Sequence, residues 1–321
     1  MKEEKKGAPH SEKKAPYDKS DWHSRIISEK MPAGAKAILK VMGIPILMAG
    51  DYTVIGGQMK SRKTLLAAYL ISQVKGKVLV FDTEQSPYHV WLLNKRILSL
   101  KLDKADVTVL YLRGLSLEEK VMFIKNAIND TTDLSAVMID NLRDLLYNFN
   151  DPIQSGKVIE LLESITFKHK ISILGVIHFN PGTKKARGHL GTELQNKSFM
   201  MIETSNNGIV KTTSVKCLCS RDKSFKPFLI KHEETTGMPE VIFPDISEEE
   251  KQNVLREVLS SGDLSFSQLV ESIRKKMATG SELCPERKAK ELISLGIDRK
   301  WVQHIGKAKT KAAKYSWVGS K

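Results

Sequence analysis

With 321 residues and 41% apolar side chains, the chain has material for one sizeable core and a small second domain. Its longest apolar stretch, 38–50, is shorter than the roughly 20 residues of a spanning helix and carries Lys40 and Pro45, which speaks against a membrane protein. Cys217, Cys219 and Cys284 have neither zinc nor disulfide spacing and imply a reducing, cytoplasmic setting, while the formal charge of +14 points toward polyanions.

Residues 1–30 alternate charges with Gly and Pro and lack an apolar run, so they read as a flexible charged tail rather than a targeting segment, with a short helix around 22–31 docking on the main body. Short apolar, β-branched runs then alternate with helical patterns: 52–56 and 64–74, 78–82 and 90–100, 107–112 and 116–128, 136–140 and 155–167, then 171–178. Such alternation predicts an α/β fold whose mostly parallel sheet is covered by helices on both faces. The runs 199–204, 208–219 and 227–233 have no helical pattern between them and predict antiparallel additions at one edge, with Cys217 and Cys219 sharing a face.

FPDISEEEK, at 243–251, marks a boundary between a main domain, 31–244, and a basic C-terminal domain, 245–321. The latter reads as three helices, 247–261, 265–277 and 286–297, with Ser265 as an N-cap, followed by two short strands around a Lys-rich tip within 301–317. Three helices and a basic two-stranded wing resemble a winged-helix domain. From Arg287 onward ten Lys or Arg face only Glu291 and Asp298, an excess that suits DNA, with Lys307, Lys309 and Lys311 as contacts, or serves solubility alone. Trp301, Tyr315 and Trp317 read as core of this domain, and no aromatic interleaves with the basic loops to make a stacking platform.

The segment GGQMKSRKT, 56–64, stands between an apolar strand and an apolar helix. A phosphate-binding loop needs backbone N–H groups and a helix N-terminus aimed at the anion, a Lys for the β and γ phosphates, and a Ser or Thr hydroxyl for Mg²⁺. Gly56, Gly57, Lys60, Ser61, Arg62, Lys63 and Thr64 supply these parts, except that Arg62 stands where the pattern has its second glycine. Asp140, ending the run AVMID, is placed to hold Mg²⁺ through water, and Glu84, in FDTEQ, to polarise an attacking water. ATP and Mg²⁺ are the expected cofactors.

In order along the chain, VIGGQMKSRKT, VLVFDTEQS, AVMIDNLRDL and ILGVIHFN resemble the core motifs of RecA-like P-loop ATPases, nearest the RepA and DnaB-like helicase group with its AAA-type ATPases of plasmids and mobile elements. The resemblance covers about 30–235. It implies Glu84 as the catalytic acid, Asp140 as the Walker B acid and His178 as the sensor of the γ-phosphate. It also implies that 184–198 holds a mobile DNA loop with Lys184, Lys185 and Arg187 as phosphate contacts. Arg221, in a late hairpin, would reach a neighbouring subunit's nucleotide, which makes a ring or filament of identical subunits the expected assembly. The expected activity is a DNA-associated, helicase-like motor for replication or mobilisation of an element. The alternative is a nucleotide-switched DNA-binding regulator with little turnover.

Overall fold

The structure, a computed structural model, describes residues 36–101, 106–180, 186, 188–206, 212–233, 237–242, 247–277, 284, 286–306 and 313–318. It opens on a hairpin, β1 (Ala37–Val41) and β2 (Ile44–Met48). Strands and helices then alternate: β3 (Tyr52–Gly57), α1 (Lys63–Ser72), β4 (Lys77–Asp82), α2 (Pro87–Leu100), β5 (Val107–Tyr111), α3 (Leu117–Asp130), β6 (Leu134–Asp140), α4 (Pro152–His169), β7 (Ser172–His178), α5 (Gly188–Lys197) and β8 (Met200–Asn206). Strands β9 (Thr212–Ser220), β10 (Phe228–His232) and β11 (Pro239–Ile242) complete the large sheet. The remainder comprises α6 (Glu248–Leu259), β12 (Leu264–Ser265), α7 (Phe266–Lys276), α8 (Glu286–Asp298), β13 (Val302–Ile305) and β14 (Lys314–Trp317).

Nine strands pair in the order β11-β10-β9-β8-β3-β7-β6-β4-β5, and the six from β8 to β5 are parallel. The protein is thus α/β, with a large, mostly parallel central sheet flanked by helices. β3 is buried along its whole length, and β6 and β7 nearly so, because crossover helices cover both faces of a parallel sheet. On one face α1, α2 and the β1–β2 hairpin close a core around Ile55, Leu66, Ile71 and Leu174. On the other, α3, α4 and α5 close a second around Phe81, Ile139, Leu162 and Ile173. Parallel pairing sets the carboxyl ends of the strands side by side, Gly57 opposite His178 and Asp82 opposite Asp140.

Three expectations need correction. The run 199–204 is not an antiparallel addition: as β8 it pairs parallel to β3, and only β9, β10 and β11 are antiparallel. The stretch 184–198 is not simply a loop, since α5 occupies its C-terminal part and supplies the crossover that β8 requires. Cys217 and Cys219 do not share a face. Leu218 is an extra residue opposite the Met201–Ile202 step of β8, and this bulge leaves Cys217 against the first core and Cys219 against the second. The tail helix expected at 22–31 lies outside the described residues.

Residues from α6 onward gather their own apolar cluster, with Leu255, Leu269, Ile273, Leu292 and Tyr315 buried and Trp301 and Trp317 packed against it. β12, β14 and β13 form a three-stranded sheet in that order. Ser247 and Ser265 cap α6 and α7 through reciprocal bonds with Glu250 and Gln268. Among the described residues no helix is long and apolar enough to cross a membrane.

Helix α5 has few apolar residues, so its seat depends on close backbone approach. A Cβ at Gly191 would lie 2.3 Å from the carbonyl carbon of Ala186. Gly191→Val is therefore expected to lower stability by about 1–3 kcal/mol, read as a lower denaturant midpoint at unchanged slope.

Candidate functional site

The loop 58–62 leaves the buried end of β3 and turns into α1, the topology of an anion-binding helix start. Gly56 and Gly57 are required here by space rather than by φ. A Cβ on Gly56 would lie 2.0 Å from Phe179 Cε1, and one on Gly57 would lie 2.3 Å from Thr204 Oγ1 and 2.5 Å from Ser61 Oγ. The Ser61 and Thr204 hydroxyls are 2.7 Å apart, and Gln58 Nε2 donates to the Asn180 carbonyl at 2.7 Å, so the loop is tied to β8 and to the exit of β7. Lys63 Nζ folds back onto the Gln58 carbonyl at 2.9 Å. No acidic residue occupies the first turn of α1, so the positive end of its dipole is unopposed within the helix.

Arg62 takes the left-handed conformation a glycine would take there, with φ 61° and ψ 34°, and Lys60 also has φ 61°. That conformation costs a non-glycine residue about 1–2 kcal/mol. The guanidinium offsets part of it, since Arg62 Nη1 donates to Thr213 Oγ1 on β9 at 3.0 Å.

Thr64 and Asp140 meet directly, the hydroxyl donating to Oδ2 at 2.6 Å. Asp140 is 6% exposed. Burial raises its pKa to about 7, against the Thr64 hydrogen bond, and nearby Asp82 and Glu84 push the same way while Lys63 opposes them. Burial likewise lowers Lys63 to about 8, with Asp140 and Glu84 opposing. A hydroxyl beside a carboxylate is an all-oxygen donor pair that suits Mg²⁺, and a cation there would favour the ionised carboxylate that burial disfavours. Among the described residues no group of three His, Cys, Asp or Glu could hold a metal by itself, so a cation at Thr64 and Asp140 would complete its shell with water and phosphate oxygens.

Glu84 stands in the loop after β4. Asp82, buried at the strand end, holds that loop by accepting from the backbone N–H of Glu84 at 3.1 Å and of Gln85 at 2.7 Å. Burial raises the pKa of Asp82, and these hydrogen bonds counter it. Glu84 Oε1 accepts from Asn141 Nδ2 at 2.8 Å and lies 3.9 Å from His178 Nε2. Lys63, Thr64, Asp140, Glu84 and His178 therefore gather at one end of the sheet.

Arg221 is elsewhere. It follows β9, whose Ser220 pairs with Met200 at the start of β8, so it lies at the opposite end of the parallel strands from the loop. Its guanidinium donates to the carbonyls of Lys197 at 2.9 Å and Ser198 at 3.3 Å, satisfying the C-terminal end of α5. Lys184, Lys185, Arg187, Lys307, Lys309 and Lys311 lie outside the described residues.

Sequence reasoning passed over Thr83, Asn141 and Thr204, buried polar residues that organise the site. The first two neighbour strand-end acids in FDTEQ and AVMIDN, which is the only local signal they give. It also passed over an exposed aromatic pair on α2, where Tyr88 and Trp91 stack with centroids 6.1 Å apart and Lys95 Nζ lies 5.5 Å from the Trp91 ring. Compared with known proteins, the chain matches no family model, and no curated protein matches it.

Replacing Arg62 by Gly removes the left-handed strain but also the Thr213 hydrogen bond, and it loosens the unfolded chain. These effects are each about 0.5–2 kcal/mol and partly cancel. Arg62→Gly should change stability by less than about 1 kcal/mol in chemical denaturation, whereas Arg62→Val, β-branched at the same φ, should cost more.

The Asp140 shift carries a pH dependence. The folded protein keeps a proton on Asp140 up to about pH 7 that the unfolded chain, with the ordinary value of 3.8, has already released. Stability therefore falls as pH rises between those values and stays reduced above them. Asp140→Asn should raise the thermal midpoint at pH 8 by on the order of 5 °C over the parent protein, the difference closing near pH 4.

Proposed function

We propose that this chain is a RecA-like nucleoside triphosphatase that acts on DNA as a helicase-like motor, in replication or mobilisation of a plasmid or mobile element. The observation that carries it is the meeting of Lys63, Thr64, Asp140, Glu84 and His178 at the carboxyl ends of neighbouring parallel strands, where α/β sheets bind their ligands. Lys63 would bind the β and γ phosphates over the start of α1, with Lys60 and the backbone of 56–62 around them. Thr64 and Asp140 would hold Mg²⁺, which when bound would neutralise phosphate charge. Glu84 would orient and deprotonate the attacking water, and His178, beside Glu84, would respond to the γ-phosphate.

For the C-terminal segment we propose a winged-helix domain. The order α6, β12, α7, α8, β13, β14 and the three-stranded sheet support it. Exposed charge on α8 is largely paired within the helix, Lys290 with Glu286 and Arg287 with Glu291. On this proposal DNA phosphates are left to Lys307, Lys309 and Lys311, with Lys184, Lys185 and Arg187 in the main domain. A homo-oligomeric ring or filament is part of the motor proposal.

Arg221 favours a second reading, since it binds its own backbone at the far end of the sheet instead of standing free for a neighbour's nucleotide. A nucleotide-switched DNA-binding regulator needs no such residue. Phosphate release from ATP and Mg²⁺, with and without single-stranded DNA, separates the two. A motor should hydrolyse ATP faster with DNA, and Glu84→Gln should lower turnover by about 10²-fold or more while keeping affinity for a non-hydrolysable analogue. Background rates that neither DNA nor Glu84→Gln alters would leave the regulator.

A further inference from the structure

We infer that Asn141 is a positioning residue for Glu84, its side-chain amide fixing the carboxylate that acts as the base. This rests on the triphosphatase proposal and names a part of the site that the motifs do not include. Asn141 is 1% exposed and directly follows Asp140. Its side-chain orientation is set on both sides. Oδ1 accepts from the backbone N–H of Arg143 at 2.9 Å, capping the short 3-10 turn Leu142–Leu145. A backbone N–H can only donate and a carboxylate only accept, so the amide oxygen must face Arg143 and the NH₂ must face Glu84.

The backbone of Asn141 is fixed as well. Its N–H donates to Thr83 Oγ1 at 2.9 Å, and that hydroxyl donates to Asp144 Oδ2 at 2.8 Å. Asp82 meanwhile holds the backbone around Glu84. The loop is thus fixed by Asp82 and the carboxylate itself by Asn141.

Glu84 needs such a partner because its side chain is 44% exposed and would otherwise sample several rotamers, whereas a base acts only from within hydrogen-bond reach of its water. The residue chemistry is specific. Asp82, Glu84 and Asp140 already crowd the site, so an aspartate at 141 would set a fourth carboxylate against Glu84. Asn keeps the acceptor that caps the turn and adds a neutral donor.

Asn141→Asp separates these roles, since it retains the acceptor for Arg143 and replaces the donor facing Glu84 by a charge. With the full chain, ATP, Mg²⁺ and single-stranded DNA, Asn141→Asp should lower kcat about tenfold or more and leave KM for ATP within about threefold. Asn141→Ala should likewise lower kcat, and it supplies the split between kcat and KM should the aspartate variant fail to fold, with melting curves reporting folding. A folded Asn141→Asp or Asn141→Ala whose kcat is unchanged, or whose nucleotide affinity falls in step with turnover, would overturn the assignment. An active parent and inactive Glu84→Gln alongside unaffected Asn141 variants would remove Asn141 alone. A parent without turnover would remove the triphosphatase proposal and this inference with it.

Discussion

Parallel pairing of β3, β7, β6 and β4 is the constraint from which the site follows. A parallel strand must be re-entered from the same end, so helices cross both faces and the strand interiors become largely apolar. Polar chemistry is then concentrated where the strands stop. Gly57, His178, Asp140 and Asp82 are four such ends, aligned by the hydrogen-bond register of the sheet. Placing β8 beside β3 adds Thr204 from the other side, which packs against Gly57 and meets Ser61.

The crowding that results has an electrostatic consequence. Asp82 and Asp140 are drawn together where burial disfavours their charge, Glu84 stands close to both, and Lys63 is buried beside them. Local hydrogen bonds distribute the strain: Thr64 serves Asp140, two backbone amides and Gln85 serve Asp82, and Asn141 serves Glu84. Each acid has a dedicated donor, so the carboxylates are held apart in role as well as in position. Arg62 belongs to the same economy, its left-handed backbone partly offset by a side chain that reaches β9.

Much of the fold was legible from period alone. The runs between 52 and 178 alternate between strand and helix patterns, and the structure has those elements within a few residues. What escaped had weak local signals. The β1–β2 hairpin turns at Met42 and Gly43, both with positive φ, and Met-Gly lacks the Asn or Asp that announces such turns. Helix α5, GHLGTELQNK, buries only Leu190, Gly191 and Leu194 and depends on contact with Ala186. The bulge at Leu218 is a property of the pairing with β8 and has no signature of its own in the sequence of β9.

By itself the sequence determined an α/β chain with a Gly-Gly strand end leading through a short loop into a helix, and acids at strand ends, because these depend on residue type and short spacing. Tertiary structure decided how those residues meet. It put Asn141 on Glu84 across 57 residues, Thr204 on Ser61 across 143, and turned Arg221 onto the end of α5. Such contacts arise from strand order and register, which join segments distant in the chain and leave no trace in local pattern.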